Sequence, residues 1–114
     1  MGVEHSTSLG EISASAAGRA GVIWTLDGSV DLNANLVRFG VGGGVAWHVN
    51  DEVDVILVGI SGSGSVEVDG KGHTLSSGIL IYVPRGAGRS VRSTSEDFAY
   101  LSVHRRRGPL QIGG

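Results

Sequence analysis

With 114 residues, 40% of them hydrophobic, and a formal charge of −2, the chain has the size of one domain with one core. That balance excludes a disordered tail and argues against a nucleic-acid-binding domain, which would be strongly basic. There is no cysteine, which removes disulfides, thiolate chemistry and cysteine-based zinc sites, and the longest strictly apolar run, Val55 to Val58, is too short to span a bilayer.

The first ten residues, MGVEHSTSLG, hold neither a basic stretch nor an apolar one. They do not read as a secretory signal, and a cytoplasmic protein is expected. Residues 8–20, SLGEISASAAGRA, are small and Ala-rich without strand alternation, which predicts an N-terminal arm or short helix over 1–20 ahead of a barrel over 21–114. From Val22 onward the chain becomes short β runs divided by Gly, Asp and Ser. The runs cover 22–26, 35–41, 45–49, 53–60, 65–68, 73–75, 79–83, 90–92 and 98–104. Short strands at this regular spacing, with 20 glycines and no Gly-X-Y period, predict an all-β sandwich or barrel.

Several local expectations follow in chain order. Val37, Phe39 and Val41 share one strand face and Arg38 takes the other. Trp47 falls on the face opposite His48, under the arm or against a partner chain, or else fills a gap within one subunit. Residues 55–58 are apolar on both faces, which predicts a strand covered on both sides. GISGSG (59–64) matches part of a dinucleotide fingerprint, but a Val-rich strand follows it where a helix would have to begin, so it reads as a turn. Asp69-Gly70 supplies the positive φ angles of a tight hairpin. On the last strand Ala99, Leu101 and Val103 are the expected core face, which puts His104 outside. Six of the nine basic residues fall between Arg85 and Arg107, and the adjacent Arg105, Arg106 and Arg107 read as a solvated strand end.

The chemistry concentrates in AWHVNDEVDV (46–55), where His48, Asn50, Asp51, Glu52 and Asp54 cluster at the start of a buried-looking strand. Asn50 and Asp51 are read as turn residues, whose side chains bond nearby backbone. A second notable segment is GILIYVPRGAGR (78–89), in which Pro84 and Gly86 end one strand and aim the next. Together the two segments resemble the two signature motifs of the cupin superfamily. Ala46-Trp47-His48 stands where the first motif has H-x-H, with Glu52 and Gly59 following in place. Gly78, Pro84 and Gly86 match the second motif, with Arg89 at its histidine position and Ser93 at its asparagine position.

The resemblance covers about residues 21–104 and implies a double-stranded β-helix, or jelly-roll, barrel that pairs as a homodimer. In metal-binding cupins two first-motif histidines, the glutamate and the second-motif histidine converge on one divalent cation. This chain keeps His48 and Glu52 and has Ala46 and Arg89 at the other two positions. A guanidinium repels a cation but can neutralise a buried carboxylate in a bidentate pair. The expected site is therefore a metal-free pocket lined by His48, Glu52, Asp54 and Arg89, with Arg89 paired to Glu52, that binds a small polar or anionic molecule. An enzyme is the alternative. It could use His48 as general acid or base, or be a dioxygenase-like or isomerase-like cupin holding Mn, Fe, Ni or Zn through His48, Glu52 and His104. A purely structural role resting on a dimer face and the arginine run is the third reading. His73 is expected to be exposed after its hairpin, and His5 lies in the arm.

Overall fold

The computed structural model describes residues 5–107; the outermost residues of the expected arm and the expected barrel limit at 114 lie outside them. Each β run read from the sequence is a strand. The elements are α1 (Leu9–Ser15), β1 (Gly21–Thr25), β2 (Leu32–Phe39), β3 (Gly44–Val49), β4 (Val55–Ser61), β5 (Ser63–Val68), β6 (Lys71–Ser76), β7 (Leu80–Val83), β8 (Gly88–Ser93) and β9 (Phe98–Arg105). They form a five-stranded sheet in the order β1-β2-β9-β4-β7 and a four-stranded sheet in the order β3-β8-β5-β6. Every strand pair is antiparallel, and the two sheets face each other as a jelly roll.

Sequence explains the elements locally. At seven residues α1 is too short to be stable alone. Ser8 caps it by accepting from the Glu11 amide at 3.4 Å, and Glu11 places a carboxylate in the first turn. Its buried Ser13 and Ala16 then fix it to the outer face of the larger sheet, where Ser13 Oγ and Ser61 Oγ are 3.0 Å apart. Asp69 and Gly70 both have positive φ, 47° and 84°, and close the two-residue hairpin between Val68 and Lys71 as expected.

Alternation then divides each strand between the barrel interior and its outside. Val37, Leu57, Val66, Leu75, Ile81, Val91 and Phe98 meet in one buried cluster. Fully burying a side chain such as Leu57 or Phe98 contributes roughly 1.5–3 kcal/mol. Val37 and Phe39 face this core as expected, while buried Arg38 takes the outer face and donates to the Arg19 and Glu96 carbonyls at 3.1 and 3.2 Å.

Two expectations are corrected. On β9 the inner face is Phe98, Tyr100, Ser102 and His104, not the aliphatic one, because Phe98 and Tyr100 belong to the core cluster. The physical reason is volume: the barrel centre takes rings, which stack with centroids 5.3 Å apart for Phe98–Tyr100 and 6.5 Å for Phe39–Tyr100. Nor is β4 covered on both faces. Val55 and Leu57 are buried, but Ile56 on the outer side is exposed, as are its neighbours Leu80 and Tyr82 on β7.

Candidate ligand-binding site

One end of the barrel is its mouth. The β3–β4 loop (50–54), the β7–β8 loop (84–87), the 69–70 hairpin, the β1–β2 connection and the end of β9 all lie there. The loops are tied to one another by backbone acceptors and short side chains. Asn50 Oδ1 accepts from the amides of Glu52 and Val53 at 2.9 and 3.4 Å, the turn role expected of it. The Gly86 amide donates to the Asn50 carbonyl at 2.8 Å, and Asp54 Oδ1 accepts from the Arg85 amide at 2.7 Å. The arginine run, expected as a solvated end, contributes to the same ring. Arg105 Nη2 donates to the Glu52 carbonyl at 3.1 Å, and Arg106 Nε to the Ser29 carbonyl at 2.9 Å. Its first two residues clamp the rim.

Below the rim the inward rows change character with depth. Across β2 and β9 the register pairs Phe39 with Phe98 and Val37 with Tyr100, then Asn35 with Ser102 and Asn33 with His104 toward the mouth. In the facing sheet, His48 on β3 pairs with Arg89 on β8, Arg89 with Val68 on β5, and Val68 with Lys71 on β6. Paired residues point to the same side of a sheet, so these four share one inner row. Val45 pairs with Val91 one step deeper, although Val45 and His48 are an odd number of residues apart. A bulge between them, with Ala46 and Trp47 opposite Ser90, rephases β3 so that both face inward. Trp47 is thereby turned out, 63% exposed, with its ring laid over Gly88. A Cβ at Gly88 would sit 2.3 Å from that ring, so this position needs glycine to seat the indole within its own subunit.

Charge inside the mouth centres on Arg89, which is half-buried. Desolvation holds its guanidinium below the ordinary arginine value; Tyr100 across the barrel acts in the opposite direction, and Arg107 lowers it further. The phenol of buried Tyr100 is pushed up to about 12 by desolvation, with Arg89 pulling the other way. The two histidines are held alike. His48 Nδ1 lies 2.9 Å from the Ala46 carbonyl and His104 Nδ1 2.7 Å from the Arg105 carbonyl. A carbonyl only accepts, so Nδ1 carries the hydrogen in both rings, and each neutral ring keeps Nε2 as an acceptor.

Of the residues read from the sequence, the structure brings His48 and Arg89 together on one row and puts His104 on the inner face of the opposite sheet. It does not bring the carboxylates to them. The expected Glu52–Arg89 pair is absent: Glu52 is exposed in the 50–54 loop, and the groups that act on Arg89 are Tyr100 and Arg107. Asp54 is also exposed and engaged with the Arg85 amide. The cause is the Asn50 turn, which lifts the chain onto the rim before β4 begins. His73 is exposed, as expected, although it shares the inner side of β6 with Leu75. Asn33, Asn35, Tyr100 and Ser102 were not singled out. The signal available was the spacing Asn33-x-Asn35-x-Val37-x-Phe39, a strand face that turns from polar to apolar. Asn35 is itself fixed, accepting from Thr25 Oγ1 at 2.8 Å and donating Nδ2–H to Asn33 Oδ1 at 3.1 Å.

A family model described as a cupin domain matches residues 35–104. The chain belongs to the cupin family. Solved structures with the same fold include TT1209 from Thermus thermophilus, at 21% identity and TM-score 0.75 over 93% of this chain and 100% of that one. BH2720 from Bacillus halodurans is similar at 17% identity and TM-score 0.73 over 95% and 89% of the two chains. KdgF from Halomonas sp. is similar at 21% identity and TM-score 0.70 over 78% and 81%. No curated protein matches the chain.

Whether the mouth suits the divalent ion of metal-binding cupins is decided by its donors. Among the described residues no three His, Cys, Asp or Glu side chains gather as a metal site requires. Glu52 stays on the rim, and a guanidinium projects from the position where the motif has its last histidine. These residues do not fit a resident divalent cation.

Proposed function

We propose that this cupin binds a small organic anion in its barrel mouth without a resident metal, as a binding module and not a catalyst. The observation that carries the reading is Arg89: a half-buried guanidinium on an inner row beside His48, with Glu52 and Asp54 held out on the rim loop. A buried cation without a counter-charge is costly, and an anionic ligand is what relieves the cost. His48, Ser102, His104, Asn33 and Asn35 supply acceptors and donors that orient such a ligand, while the apolar floor below excludes water. A melting-temperature screen tests this. Small carboxylates at constant ionic strength are expected to raise the midpoint with concentration, by about 2.7 kcal/mol of stability at a hundredfold excess over Kd, and neutral sugars are not. No response to any acid would overturn it.

The second reading, a metal-dependent dioxygenase-like or isomerase-like cupin, is favoured by one observation. His48 and His104 both stand on inner strand faces with Nδ1 engaged by a backbone carbonyl, which leaves Nε2 as the acceptor of each neutral ring. Near-stoichiometric Mn, Fe, Ni or Zn in protein purified without an affinity tag would establish it in place of the first. We further propose a homodimer, formed through the outer face of the larger sheet. There Ile56 pairs with Tyr82, and with Leu80 they form an exposed apolar patch; light scattering would read the dimer as twice the chain mass. No helix among the described residues is long and apolar enough to cross a membrane, and a cytoplasmic location is part of the same proposal.

A further inference from the structure

His48 and Arg89 are register partners on one inner row, so their side chains stand side by side, roughly 5 Å apart at Cα. Their hydrogen-bonding characters are opposite. The guanidinium of Arg89 only donates. His48 is committed the other way by its own strand. At the β3 bulge the Ala46 carbonyl lies 2.9 Å from His48 Nδ1 and takes the hydrogen of the neutral ring. Nε2, the ring nitrogen farther from the backbone, is left as a pure acceptor.

A plain carboxylate satisfies only half of this pair. It accepts from Arg89 but has no hydrogen for Nε2, and an acceptor covered by a ligand without a donor is costly. A ligand ammonium could donate to Nε2 but would stand beside a like charge. A hydroxyl donates without charge. We propose that the ligand is a 2-hydroxy acid, its carboxylate accepting from Arg89 and its hydroxyl, on the adjoining carbon, donating to His48 Nε2. This rests on the anion-binding reading above and deepens it: Arg89 recognises the charge and His48 selects the hydroxyl. His104 is tied in the same way, with Nδ1 2.7 Å from the Arg105 carbonyl, but its register partner is Asn33 and not a cation. The selecting acceptor is therefore His48.

Titration calorimetry of the full chain near neutral pH, with each enantiomer of lactate and with isobutyrate at equal ionic strength, tests it. The probes differ by a hydroxyl in place of a methyl. The better-bound lactate is expected to bind about tenfold more tightly than isobutyrate, although isobutyrate is the more apolar. Two variants locate the acceptor. His48→Gln carries a side-chain carbonyl out to the position of Nε2 and should keep most of the preference. His48→Asn reaches only the position of Nδ1 and should abolish it, with isobutyrate affinity unchanged in both variants as the sign of an intact fold and Arg89 site. Equal affinities for the two probes in the wild type, or a preference for lactate that survives His48→Asn, would overturn the inference and leave the anion-binding reading standing. If neither probe binds the wild type, both fall together.

Discussion

The two ends of the barrel are built on the same strands with opposite chemistry. At the closed end Phe39, Val37, Phe98, Leu57 and Leu75 interlock as an apolar floor. Toward the mouth, β2 continues as Asn35 and Asn33, β9 as Ser102 and His104, and β8 changes from Val91 to Arg89. The contrast teaches that the apolar packing and the polar side chains are separated by depth along each strand. The mouth can carry a guanidinium with no ion-pair partner among the described residues because the floor beneath it supplies the folding energy.

That division can be broken by mutation. The largest effect is expected at the floor, where Leu57→Ala leaves a cavity and should lower unfolding free energy by about 2–5 kcal/mol in urea melts. His104→Ala at the mouth should cost less than about 1 kcal/mol, since it removes one backbone-tied ring. Equal costs at the two positions would erase the distinction.

Tyr100 stands at the boundary, and its ionisation sharpens the comparison. Its phenol is held protonated up to about 12 in the fold against 10.0 ordinarily. Between those values the native state binds the proton more tightly than the unfolded chain, so stability is whole below pH 10 and falls as pH rises toward 12. The loss attributable to this group is roughly 2–3 kcal/mol, and Tyr100→Phe should remove that part of the alkaline slope. A slope unchanged by Tyr100→Phe would place the phenol outside the buried layer.

A smaller effect is expected on the rim. Asn50→Ala removes the acceptor for the Glu52 and Val53 amides and should cost about 1 kcal/mol. Melting in urea reads it directly, and a variant as stable as the wild type would show that the turn holds without its side chain.

Much of this molecule was legible in its sequence, for reasons that differ by element. Period-two alternation between Gly, Asp and Ser punctuation marked every strand, and Asp69-Gly70 marked its hairpin, because both signals are local. The Pro84 and Gly86 turn and the His48 and Arg89 positions were legible through the family motif, and the register places those two side by side. What escaped depends on rephasing and packing. A bulge at Ala46-Trp47 shifts β3 by one residue, and alternation alone cannot report it. The inner face of β9 was misread because aliphatic residues resemble a core more than a face ending in Ser102 and His104 does. Ring volume at Phe98 and Tyr100 decided otherwise. Glu52 was placed in the barrel by motif spacing, whereas the Asn50 turn sends it to the rim.

Arg89→Met gives the most direct test of the claim that an uncompensated guanidinium awaits an anion. Among the described residues no ion pair is broken, so its melting temperature should equal or exceed that of the wild type by a few degrees, roughly 4–8 °C for each kcal/mol gained. Measured by calorimetry against one small carboxylate, affinity should fall by at least about tenfold in the same variant. A variant that binds the acid as the wild type does, or that melts several degrees lower, would contradict it.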